Sequence, residues 1–169
     1  MRVLAVDPSL RSTGFAVLER LNGEKKVRAL EYGRIPNAPK LLPSSCLVAI
    51  HDRLAELIHR HEPDCAAVEA VLFVQSHRTA ITLGAARGAA ILALAQRGIS
   101  VFEYAPTDVK QAVVGRGGAA KDQVAFMVRA LLGLTETPDA DAADALAIGL
   151  THLQSHDSAR MGVKTLRQI

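Results

Sequence analysis

Cysteine is scarce in this chain, with only Cys46 and Cys65, and neither a disulfide framework nor a CxxC metal pair can be built from them. Both read as core fillers. There is no low-complexity tract, no Ser/Gly linker and no repeat, so disorder is expected only at the C-terminal end. An apolar run free of charge is missing as well. The most apolar stretch, Thr79 to Ala95, carries Arg87 near its middle together with Gly84 and Gly88, which argues against a membrane span. The apolar run before Asp7 is only four residues, Val3 to Val6, too short for the hydrophobic region of a secretory signal. A soluble cytoplasmic protein with no membrane partner is the expectation. Charge of one sign is also in short supply, since 20 Lys and Arg face 17 Asp and Glu for a net +3. The pI of 9.1 passes the rough threshold of about 9 for nucleic-acid-binding domains, which by itself leaves that class near even odds. At 169 residues, 49% hydrophobic and 22% charged, the chain fits one globular domain with a single core.

Acids in unexpected places are what the chain does have. Asp141 and Asp144 lie in the run Pro138-Asp139-Ala-Asp141-Ala-Ala-Asp144-Ala-Leu-Ala-Ile-Gly-Leu150. Three residues apart on a helix, they share a face, and Asp144 is followed at once by core-like Ala145 to Ile148. Two further acids close short apolar strands, Arg2-Val-Leu-Ala-Val-Asp7 and Cys65-Ala-Ala-Val-Glu69. If those strands are parallel neighbours, Asp7 and Glu69 stand side by side. At ~4 Å two such charges repel by about 1 kcal/mol even in bulk water and by more inside a protein. Four converging carboxylates with no His or Cys describe a site for a hard divalent cation, Mg²⁺ above all. Singly, each acid has a plainer explanation: Asp141 gains from the helix dipole, Asp7 can initiate the turn at Pro8, and Asp139 suits a helix cap.

Hydrophobic spacing and turn residues give the element order βββαβαβααα. Strands are expected over Val3–Asp7, Gly14–Glu19, Lys26–Ile35, Asp64–Glu69 and Ile99–Tyr104. Helices are expected over Leu47–His61, Thr79–Arg97, Pro106–Val114 and Lys121–Leu132, with a last helix opened by Pro138 at its first position. Residues 1–154 would form the globular domain and 155–169 a polar, basic, flexible tail. Short connections make the first three strands antiparallel, and a helical crossover brings the fourth back parallel to the first. The fold class is α/β, a mixed five-stranded sheet flanked by helices, and the pattern resembles the ribonuclease H-like fold.

Several segments in order resemble the RuvC family, the Holliday-junction resolvases of bacteria. They are Asp7-Pro-Ser-Leu-Arg-Ser-Thr-Gly14, Leu83-Gly-Ala-Ala-Arg-Gly88, Val101-Phe-Glu-Tyr104, Val109-Lys-Gln111, Val113-Val-Gly115 and Asp141-Ala-Ala-Asp-Ala-Leu-Ala-Ile148. The resemblance runs from residue 1 to about His152. It implies a homodimeric endonuclease of DNA recombination and repair that nicks two opposed strands of a four-way junction symmetrically, alongside a branch-migration motor. It also implies two Mg²⁺ per active site, replaceable by Mn²⁺, held by Asp7, Glu69, Asp141 and Asp144, with Lys110 and Lys121 near the scissile phosphate. Phosphodiester hydrolysis needs an activated water, a clamp on the nonbridging oxygens and charge at the leaving oxygen, and two such ions supply all three.

Other residues extend the expected DNA surface. The Gly-rich loop Gly115-Arg-Gly-Gly118 leads into Lys121, and Arg116 and Lys121 supply charge to a phosphate there, with a plain turn as the alternative. Arg87 is expected either in a dimer interface, beside the small-residue stripe of Gly84 and Gly88, or on DNA. The family's aromatic after the strand acid corresponds to Leu72 here, with Phe73 next. Either residue can meet junction bases, and the polar run through Arg78 favours Phe73. Ser9 replaces the family's usual glycine after Asp-Pro. His152 and His156 are expected to be solvated. Rival functions are a related ribonuclease H-like nuclease of another branched DNA or RNA-containing substrate, a sugar-kinase or actin-like nucleotide binder, and a catalytically silent DNA-binding module.

Overall fold

The computed structural model describes all residues of the chain except 22, 23, 25, 72–75 and 164, together with the side chain of residue 160. Its strands are β1 (Arg2–Asp7), β2 (Ser12–Glu19), β3 (Arg28–Pro36), β4 (Cys65–Glu69) and β5 (Val101–Tyr104). The helices are α1 (Pro43–His61), α2 (His77–Ala95), α3 (Pro106–Val114), α4 (Lys121–Leu132) and α5 (Ala140–Arg160). The order along the chain is the βββαβαβααα expected.

One five-stranded sheet runs β3-β2-β1-β4-β5. β1, β2 and β3 are antiparallel, while β1, β4 and β5 are parallel. Side chains alternate across a strand, and β1 shows both halves of that alternation: Val3 and Ala5 enter one core, Leu4 and Val6 the other. On the first face α3, α4 and α5 pack through Val109, Val124, Leu146 and their neighbours. On the second, α1 and α2 pack through Ile50, Leu54, Ala86 and Ala90. Burial on both faces explains why β1 and β4 read as continuous apolar runs rather than alternating ones.

Local chemistry sets the boundaries. Pro43 occupies the first turn of α1, and Glu62 ends that helix in the left-handed region at φ 45°, its N–H donating to the Ile58 carbonyl just before Pro63. α2 has the length and mean hydropathy of a membrane span, yet Ala86, Ala90, Ala93 and Leu94 lie in the second core. Gly84 and Gly88 face open space on its other side.

The structure corrects two expectations, the start of the last helix and the solvation of His152. Asp139 caps α5, its Oδ1 accepting from the Ala142 N–H at 3.0 Å, so Pro138 precedes the cap instead of starting the helix. α5 runs through Ser155 without a break, and beyond it the last residues lie along the outer edge of β5. There the Glu103 N–H donates to the Arg167 carbonyl, the Ile169 N–H donates to the Val101 carbonyl, and Phe102 bridges Gln168. An edge strand carries unpaired N–H and C=O groups, and this segment satisfies some of them. His152 is fully buried rather than solvated, with the Tyr104 hydroxyl 2.8 Å from Nδ1 and the Cys65 sulfur 3.2 Å from Nε2. Burial, then the nearby His156 and Arg20, pushes its pKa down to about 4. Cys46 and Cys65 are buried free thiols, as expected.

Candidate active site

Register brings the first two acids together. Val6 pairs with Val68 across the parallel β1–β4 ladder, so the next residues, Asp7 and Glu69, end their strands as neighbours. On its other side Asp7 pairs with Gly14 of β2. Gly14 is the residue on which α5 rests: a Cβ there would lie 2.0 Å from the carbonyl oxygen of Asp141. Only a residue without a side chain lets the first turn of α5 approach β2 so closely. Asp7, Gly14 and Asp141 are thereby consecutive in space although far apart in sequence. Farther along α5, a Cβ on Gly149 would lie 2.7 Å from Leu18 Cδ1 and 3.2 Å from Ala5 Cβ, so the helix hugs the sheet along its length.

The electrostatics show that all four acids share one neighbourhood. The pKa of Asp7 is pushed up to about 7, first by burial and then by Glu69, Asp144 and Asp141, with Lys121 opposing. Glu69 is raised by burial and by Asp144, with Lys121 and Lys110 opposing. Lys121, the first residue of α4, donates to Asp144 Oδ2 at 2.8 Å and is held protonated by it. Ser12 donates its hydroxyl to Asp141 Oδ2. Like charges gathered at a half-buried sheet edge are the arrangement a divalent cation relieves.

The donor set is all oxygen, which fits a hard divalent ion. Among the described residues no three acidic, His or Cys side chains are already gathered around one point as ligands. Two of the four acids are otherwise engaged, Asp144 by Lys121 and Asp141 by Ser12.

The remaining expected residues surround this centre. Lys110, on α3, is close enough to lower the Glu69 pKa. Arg116 donates to Gln123 Oε1 at 2.7 Å, and the same oxygen accepts from the Ala120 N–H, which fastens the Gly-rich loop to the start of α4. In that loop Gly115 takes φ 85°, a left-handed conformation suited to glycine. Arg78 lies across a groove of about 460 Å³ from Ser9 and Arg11. Arg87 lines a smaller cavity of about 240 Å³ together with Asp7, Glu69 and Pro106. Leu72 and Phe73 fall outside the described residues.

Sequence inspection missed several contributors. Gly14 was visible only as part of a motif, and its role as the seat of α5 depends on a long-range contact. Ser12 had no periodic or compositional signal at all. Arg11 lies in the same motif, and its guanidinium donates to the carbonyls of Ala38 and Leu41 at 2.8 and 2.9 Å, which pins the turn after β1.

Known proteins match this arrangement over the whole chain. The family model for crossover junction endodeoxyribonuclease RuvC covers residues 3–152. A relative of that name in Akkermansia muciniphila is 55% identical over 93% of both chains, and one in Caldicellulosiruptor saccharolyticus is 41% identical over 94% of this chain and 95% of its own. Among solved structures, Thermus thermophilus RuvC in complex with a Holliday junction substrate superposes with a TM-score of 0.89 at 38% identity, covering 100% of this chain and 99% of that one. The yeast mitochondrial resolvase Ydc2, at 12% identity and a TM-score of 0.71, shares the fold. The sheet order, the gathered acids and these matches agree, and the chain belongs to the RuvC family of crossover junction endodeoxyribonucleases.

Proposed function

We propose that this protein resolves four-way DNA junctions by paired, symmetric nicks in opposed strands, using two Mg²⁺ ions held by Asp7, Glu69, Asp141 and Asp144, with Mn²⁺ able to substitute. The observation that carries the assignment is the convergence of four carboxylates from β1, β4 and α5 on one sheet edge, where burial and then the other three acids push the pKa of Asp7 up to about 7. The match to a RuvC solved with a Holliday junction substrate supports the choice of DNA. When bound, the ions supply a nucleophile from water at neutral pH, a clamp on the nonbridging oxygens and charge for the departing oxygen.

The chain's own residues do the rest. Asp7 gives up the proton that burial and its acidic neighbours make it hold. Lys121 leaves Asp144 and turns its ammonium, 75% exposed, to the phosphate being cleaved. Lys110 adds positive charge beside Glu69 and positions the strand. Arg78, Arg87 and Arg116 take backbone phosphates, while Leu72 or Phe73 meets the bases at the junction centre. Residues 1–154 act as the nuclease domain and 155–169 as its basic extension.

A homodimer provides the two active sites that paired nicks require. Its interface is the outer face of α1 and α2, where Leu47, Val48, Gly88 and Leu92 line an apolar groove of about 430 Å³. The enzyme would work in the cytoplasm, and a branch-migration motor is proposed as partner on the family resemblance alone.

The test is a set of near-isosteric variants, Asp7→Asn, Glu69→Gln, Asp141→Asn and Asp144→Asn. Each should lower junction cleavage by at least about 100-fold while binding stays equal or tightens, because one metal ligand is lost and one negative charge no longer faces the phosphates. Equal loss of binding and cleavage in folded variants would reject the metal-ligand assignment.

A further inference from the structure

We infer that the C-terminal segment is a working part of the DNA-binding site: Arg167 positions and frees the charge of Arg87 through the carboxylate they share, Glu103. The inference rests on the reading above that Arg87, beside Asp7 and Glu69, takes a backbone phosphate.

Arg87 is one wall of the cavity it shares with Asp7 and Glu69. It donates through Nη2 to Glu103 Oε1, and its Nε is buried with no hydrogen-bond partner among the described residues. Glu103 itself is only 10% exposed. By itself an Arg87–Glu103 pair is neutral, and a neutral pair adds little to the attraction of a polyanion.

The segment after α5 changes that balance. Arg167 sets Nη1 3.0 Å from the other oxygen of the same carboxylate, Glu103 Oε2. Its backbone carbonyl accepts from the Glu103 N–H at 2.9 Å, so the side chain is delivered by pairing with β5 rather than by a loose reach across the surface. The Ile169 N–H on the Val101 carbonyl and the Phe102–Gln168 bridge fix the same register from the other side. With two guanidinium groups on one carboxylate the cluster carries a net positive charge. Arg87, nearer the acids and with a donor still unused, is where that charge meets DNA. Arg167 is 71% exposed on the opposite side of Glu103, so its substitution should leave the core intact.

Junction binding over a salt series tests this, with Ca²⁺ in place of Mg²⁺, on the full-length parent and on Arg167→Ala, Arg167→Lys, Arg87→Gln and the Arg87→Gln/Arg167→Ala double variant. Arg167→Ala is expected to weaken binding about 3- to 10-fold and to flatten the log–log salt slope by about 0.9, the contribution of one phosphate contact. Arg167→Lys should restore both, since a single point contact to Glu103 needs charge rather than a fork. In the Arg87→Gln background the Arg167→Ala change should cost clearly less than in the parent, since only the Glu103 carboxylate is left unpaired and no arginine remains to be freed for DNA. An unchanged slope in Arg167→Ala overturns the inference. Equal losses with and without Arg87 also overturn it, because Arg167 would then touch DNA itself. A parent that shows no preference for the four-way junction would instead overturn the functional reading beneath it.

Discussion

Asp7 is the residue at which the site's electrostatics concentrate. Its folded pKa of about 7 lies above its ordinary 3.8, so the folded chain holds a proton that the unfolded chain releases. A raised carboxyl pKa favours folding below the unfolded value, and that advantage is lost as pH climbs through the folded value. The metal-free protein should therefore lose stability from Asp7 between about pH 4 and 7. His152 slopes the opposite way: its pKa is depressed to about 4, so stability from keeping it neutral is lost as pH falls from 6.5. The two partly cancel in the parent, and the difference between Asp7→Asn and the parent isolates the carboxyl. In EDTA the melting temperature of Asp7→Asn should exceed that of the parent by a margin growing from pH 5 to pH 8, reaching roughly 1 to 3 kcal/mol of stability. A margin independent of pH would show that Asp7 is an ordinary surface acid. At this scale the sequence was legible for the acids, because a charge at the end of an apolar strand or inside an apolar helix contradicts its surroundings. Ser12 and Glu103 were visible only as members of motifs, because their partners are more than a dozen residues away.

The decisive element is α5, because it carries two of the acids and must land on β2 to deliver them. Gly14 is the landing point, with Asp141 carbonyl oxygen where a Cβ would be. Gly14→Ala should push the first turn of α5 away. A cost of about 1 to 3 kcal/mol is expected from overpacking, along with a 10- to 100-fold fall in single-turnover cleavage from misplaced ligands. Thermal melts and single-turnover kinetics on the same preparation check both; full activity would mean that the site tolerates a displaced helix. The ends of α3 and α4 match the sequence expectation residue for residue, since Pro106, Gly115 and Gly133 punctuate them. The ends of α5 do not. Pro138 misled because a capping Asp follows it, and the helix continues past Ser155 to Arg160, with Asp157 paired to Arg20. The segment on β5 is too short to show a strand period, so its pairing could not be read from pattern.

For the whole molecule, two active sites in a fixed two-fold relation are what turn a nuclease into a resolvase. The outer face of α2 is the surface proposed for the dimer: Ile81 and Leu92 are 73% and 51% exposed, and nothing stands within 4 Å of where a Cβ on Gly84 or Gly88 would lie. Leu92→Glu should yield a folded monomer by equilibrium sedimentation and replace paired nicks with single ones; a stable dimer would move the interface elsewhere. Fold class and family were legible from the sequence alone, since the motifs recur in order with their spacings, whereas Leu72 and Phe73 stay open because one residue of register decides between them. The most direct measurement is cleavage of a four-way junction with Mg²⁺, run beside linear duplex and an RNA–DNA hybrid and mapped on all four strands. Symmetric nicks in two opposed strands, with little cleavage of the other substrates, are the predicted result. Equal cleavage of the hybrid or of linear duplex, or nicks without two-fold symmetry, would contradict junction resolution.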